Sequence, residues 1–95
     1  MTSKQRAYLK SLASKQDVIL HIGKANLTPE ITAAVEEALN ARELIKIGVL
    51  KNCICDPNEM ARMLSERTRS TVIHVIGKKI VLYKEAKDKK IILPF

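Results

Sequence analysis

Residues 18–41, VILHIGKANLTPEITAAVEEALNA, decide how this chain folds. Val18, Ile19, Leu20 and Ile22 read as a short buried strand interrupted by His21. Gly23-Lys24-Ala25-Asn26 then forms a tight loop, and Thr28 followed by Pro29 starts a helix. Thr supplies a hydroxyl cap, and proline takes the first helical position, where its missing N–H is not needed. Ile31, Ala34, Val35, Ala38 and Leu39 recur on one helical face, with Glu30, Glu36 and Glu37 elsewhere. This unit aims the unpaired N–H groups of the first helical turn, together with Lys24, at one point in space. Such a point suits a phosphate.

Before this unit, residues 3–14 predict a helix with Ser3 as its cap and Tyr8, Leu9, Leu12 and Ala13 along one stripe. Lys4, Arg6 and Lys10 fall away from that stripe, as a solvated face or as one laid against a phosphate backbone. After it, residues 43–50 alternate as a second strand, weakened at Gly48 unless close packing needs a glycine there. Asp56, Pro57 and Glu59 predict a capping box opening a third helix, with Met60, Met63 and Leu64 facing inward. Residues 71–76 and 79–83 predict a hairpin turning at Gly77-Lys78, with Lys78 and Lys79 at its tip. Ile91, Ile92 and Leu93 are expected to dock back, as a short edge strand.

The predicted order is α-β-α-β-α-β-β. Strands separated by helices imply parallel pairing through right-handed crossovers, and the hairpin adds an antiparallel strand. The expected product is a single α/β domain over residues 1–95, a two-layer sandwich around a mixed four-stranded sheet.

Seventeen Lys and Arg against ten Asp and Glu give a net charge of +7, unevenly spread. Residues 1–24 carry +4, residues 25–66 carry −3 and residues 67–95 carry +6. Basic ends on a small domain favour a polyanionic partner. No run approaches the roughly 18 apolar residues of a membrane span, and the N-terminal residues lack a signal-peptide core, so a cytoplasmic protein without a membrane partner is expected.

Enzyme chemistry finds no support. Neither Gly23 nor Gly77 begins a Walker or dinucleotide motif. His21 and His74 have no nucleophile set beside them by spacing, and Cys53 and Cys55 alone give zinc too few ligands. No catalytic residue, metal, cofactor or small-molecule substrate is expected. Tyr8, Tyr83 and Phe95 are too few and too scattered to form a base-stacking sheet surface.

The runs IGKANLTPEI, ELIKI, VIGKKIVLYK and KKIILP, in this order, resemble the small bacterial YhbY proteins, the stand-alone form of the CRM domain. The resemblance covers essentially the whole chain. It implies a fold similar to the C-terminal domain of translation initiation factor three, with RNA bound through a GxxG loop and adjacent basic surfaces. It also implies association with ribosomal RNA in precursors of the large ribosomal subunit. The loop falls on Gly23, Lys24, Ala25 and Asn26, where Asn26 stands in place of the second glycine. Asparagine enters left-handed conformations more readily than most residues, so the turn can survive the change, and its side chain bears on the backbone's approach to RNA more than on the fold.

The reading that follows is a monomeric, non-catalytic RNA-binding domain assisting large-subunit assembly, contacting RNA through Gly23, Lys24, Ala25, Asn26, Lys4, Arg6, Lys10, Lys78 and Lys79. The rivals are a protein-docking module and, further off, an enzyme acting on RNA.

Overall fold

The computed structural model describes residues 1–23, 27–53, 55–87 and 91–94. Its elements are α1 (Ser3–Ser14), β1 (Leu20–Ile22), α2 (Pro29–Arg42), β2 (Leu44–Val49), α3 (Pro57–Thr68), β3 (Thr71–Ile76) and β4 (Lys79–Tyr83), in the order the sequence predicts.

Local chemistry sets the helix ends. Thr28 Oγ1 accepts the Ile31 N–H at 3.2 Å, and Pro29 opens α2 as expected. The cap of α1 is Thr2 rather than Ser3: Thr2 Oγ1 accepts the Gln5 N–H at 3.1 Å, and Gln5 Oε1 accepts the Thr2 N–H at 3.0 Å. This is a reciprocal capping box with glutamine at its third position. At α3, Asp56 accepts the Asn58 N–H at 3.1 Å, while the Glu59 carboxylate pairs with Arg62. Glu43, expected in the second strand, instead ends α2 with a φ of 64°, so β2 begins one residue later.

The strand order is β1-β2-β4-β3. β1 and β2 pair in parallel, and β4 runs antiparallel to both β2 and β3. β2 and β3 therefore point the same way, as their helical crossover implies, but the last strand lies between them. Four successive residues of β4, Ile80 to Tyr83, are buried, which suits an interior strand. β3 carries exposed Thr71 and Ile76 and takes the edge.

The sheet is covered on both faces, where the sequence suggests two layers. Ile45, Ile47, Ile80 and Leu82 meet Val35 and Leu39 of α2 and Met60 and Leu64 of α3. On the opposite face Leu44, Ile73, Val81 and Tyr83 meet Leu9 and Ala13 of α1. Adjacent strand residues point to opposite faces, so the consecutive apolar pairs Leu44-Ile45 and Val81-Leu82 need cover on both sides. Ile91 and Leu93 complete the second core as an irregular segment rather than an edge strand, leaving Ile92 exposed.

Candidate nucleic-acid interface

Parallel β1 and β2 both end at the side of the sheet where β3 turns into β4. The Leu50 N–H donates to the Ile22 carbonyl at 2.8 Å, and the Val49 N–H donates to the Lys78 carbonyl at 2.7 Å. These bonds bring together the start of the Gly23 loop, the turn at residues 50–53 and the hairpin tip. A Cβ on Gly23 would lie 3.3 Å from Leu50 Cδ1 and 3.4 Å from Asn52 Oδ1, so the chain passes close to that turn. Six residues separate β1 from α2, which puts the N-terminus of α2 at the same end. Gly77, with a φ of 56°, takes the left-handed conformation that a two-residue hairpin loop demands. Exposed Lys51, Lys78 and Lys79 collect here.

α1 covers only part of its face of the sheet. Beyond it lies a groove of about 350 Å³ lined by Lys10, Ala13, Ser14, Lys46, His74, Ile76, Lys79 and Val81. Ile76 and Lys79 also border a second depression of about 440 Å³, where Val18, His21, Gly48 and Lys78 form the walls. No aspartate or glutamate is among these described lining residues. Strand register explains the convergence. His21 pairs with Gly48, Gly48 with Lys79 and Lys79 with Ile76, forming one row across all four strands. Lys46, Val81 and His74 form the next row on that face. A bulge between Val72 and His74 inserts Ile73, which packs into the α1 core while His74 lines the groove. Lys46 Nζ donates to the Gln16 carbonyl at 3.3 Å just past α1.

Helix α2, on the other face, carries exposed carboxylates at Glu30, Glu36 and Glu37. Arg62 on α3 bonds to Glu59 and to Glu66, and these partners raise its already high pKa. That cation is locally neutralised, in contrast to the lysines of the groove face.

The residues singled out from sequence separate into groups. Lys10 and Lys79 line the groove, Lys78 stands at the hairpin tip, and Gly23 leads into the loop. Lys24, Ala25 and Asn26 lie outside the described residues. Lys4 is exposed on the first turn of α1, away from the groove lining. Arg6 turns inward: its Nη1 donates to the Val72 carbonyl at 2.6 Å and to the Ile73 carbonyl at 3.0 Å, satisfying the backbone at the bulge. The sequence alone marks no RNA-binding role for Lys46, Lys51, His21 or His74. Lys46 carried a signal, since it falls on the strand parity opposite Ile45 and Ile47, but its partners across the sheet depend on where β4 inserts.

Of the cysteines, Cys53 is buried and Cys55 half-buried. Among the described residues no group of three or more His, Cys, Asp or Glu is placed to hold a metal. No described helix is long and apolar enough to cross a membrane.

Fold and site define a small α/β domain with a mixed sheet, one acidic helical face and one basic end and face. The chain belongs to the CRS1/YhbY (CRM) domain family, which its residues 1–84 match. It is 42% identical over 90 residues to the Bacillus subtilis "Probable RNA-binding protein YqeI", covering 95% of this chain and 94% of that one. A Haemophilus influenzae protein named "RNA-binding protein" is 31% identical over 94 residues, covering 99% and 95% of the two chains. The solution structure of SAV1595 from Staphylococcus aureus superposes with a TM-score of 0.83 at 45% identity, covering 99% of each chain.

Proposed function

We propose that this protein is a cytoplasmic, non-catalytic RNA-binding domain that acts as a monomer on ribosomal RNA in large-subunit precursors. The observation that carries the reading is the Val49 to Lys78 hydrogen bond, which brings the hairpin lysines to the sheet end from which the Gly23 loop departs. In this reading Gly23, the N-terminus of α2 and Lys51, Lys78 and Lys79 make a phosphate-binding end, and Lys24 is assigned to it from its place in the sequence alone. The names of the B. subtilis and H. influenzae relatives support RNA as the polyanion. Contacts of this kind are to phosphates, so affinity is salt-dependent and sequence preference modest.

The test is binding to a large-subunit ribosomal RNA transcript and to duplex DNA of equal length across several salt concentrations, with wild type and Lys24→Ala. Preference for the RNA, with a salt slope shallower by roughly one contact in the variant, supports the reading. Equal and unaltered binding to both nucleic acids counts against it.

One observation favours a protein-docking reading. A cleft of about 530 Å³ between α1 and the tail is lined by Tyr8, Leu12, Ile91 and exposed Ile92, beside Lys15 and Arg42. Full retention on ribosomal particles after digestion of their RNA would support that alternative.

A further inference from the structure

Gly48 is buried although it has no side chain, because Val18 and His21 lie over it. A Cβ there would stand 3.0 Å from His21 Cδ2, 3.4 Å from its Nε2 and 3.2 Å from Val18 Cγ1. The missing side chain lets one edge of the imidazole seat against β2, while His21 as a whole stays exposed. A ring held this way gives up little freedom when a flat ligand settles on it.

The rest of the row suits the same ligand. Lys79 follows Gly48, and Ile76 follows Lys79 with 57% of its surface exposed. Lys46, Val81 and His74 make the next row, with Lys10 on the flanking helix. An exposed ring and an isoleucine among cations, bounded by α1 on one side and the hairpin tip on the other, match a strand with flat apolar bases and regularly placed phosphates. A duplex keeps its bases stacked inside and offers only phosphate and groove edges to such a surface.

We propose that the open half of this sheet face takes a single-stranded RNA segment, with one base stacked on His21 and its phosphates meeting Lys10, Lys46 and Lys79. The proposal rests on the RNA-binding reading above and extends it from the loop end onto the sheet. Tyr83, the aromatic residue of β4, is buried beneath α1 and the tail, and His74 is half-buried, which leaves the stacking role to exposed His21.

The test uses a short single-stranded oligoribonucleotide and a blunt duplex of the same sequence, with wild type, His21→Ala, His21→Phe, Lys46→Ala and Lys78→Ala. Base stacking on a side chain is worth enough that His21→Ala should weaken strand binding about tenfold, with little effect on the duplex. His21→Phe should retain binding, since it keeps a flat ring, and Lys46→Ala should make the salt slope shallower by roughly one phosphate contact. In the wild type, the imidazole ring protons should move upfield as the strand is added. Strand affinity unchanged in His21→Ala, with Lys78→Ala still weakened, overturns this proposal and leaves the RNA-binding reading standing. Wild type that binds neither strand, duplex nor ribosomal RNA overturns both. An acidic peptide that moves the imidazole protons when the oligoribonucleotide does not would assign the face to protein instead.

Discussion

The Glu43 carboxylate, fully buried, accepts the backbone N–H of Ile91 at 2.8 Å, 48 residues further along the chain. Its other oxygen accepts the Ala86 N–H at 2.8 Å, and its own carbonyl accepts the Lys84 N–H at 2.9 Å. One residue at the junction of α2 and β2 thus anchors the tail that covers Tyr83 and Leu9. Hydrogen bonds to an ionised acceptor are stronger than neutral ones. Glu43→Ala should cost about 2–4 kcal/mol in urea unfolding, and hydrogen exchange at Ala86 and Ile91 should accelerate more than exchange in α2. Unchanged protection at those two amides would show that the apolar contacts of Ile91 and Leu93 hold the tail without the carboxylate.

Arg6 is the counterpart on the other side of this core. With its guanidinium spent on the Val72 and Ile73 carbonyls, Arg6→Ala should destabilise the fold by about 1–3 kcal/mol. RNA affinity of the folded variant, measured well below its unfolding temperature, should keep the wild-type salt slope. A shallower slope would return Arg6 to the phosphate contacts.

Lys78 and Lys79 stand at the tip and root of the hairpin turn, both exposed. If each neutralises a phosphate, alanine at either position lowers the slope of log affinity against log salt by about 0.7–0.9. The loss should be similar for RNAs of unrelated sequence, and a loss confined to one sequence would mean base contact instead.

The Tyr83 hydroxyl is pushed above its ordinary pKa of 10.0 chiefly by burial, with Glu43 and Glu85 adding to the rise. Above about pH 10 the unfolded chain releases this proton before the folded chain does. The unfolded state then holds fewer protons, and stability falls as pH rises. Tyr83→Phe should flatten that alkaline limb in denaturation measured from pH 9 upward, and an equally steep decline in the variant would assign it to other groups.

Much of this fold is legible in the chain. Thr28-Pro29, Asp56-Pro57 and Gly77-Lys78 mark boundaries through backbone chemistry that acts within four residues, and the structure has helix starts and a hairpin turn at those places. Misreadings at this level are small and local: Thr2 caps α1 because Gln5 returns the bond, and Glu43 turns out of the strand to close α2. The consecutive apolar pairs of β2 and β4 carried a further message, that both faces of the sheet need cover, but periodicity cannot name the element that supplies it.

The sequence by itself determined the order of elements, the basic ends and the kinship with CRM domains, since each rests on short-range spacing, charge or residue identity. Only the tertiary structure decided that β4 inserts between β2 and β3, and that insertion shaped the candidate interface. It carries Lys79 beside Gly48 and Val81 beside Lys46 and brings the hairpin tip to the end of β2, while the parallel pairing of β1 with β2 seats His21 on Gly48. The physical reason is that strand order and register are settled by burying both faces of a sheet at once, a condition on the whole chain that no local window contains.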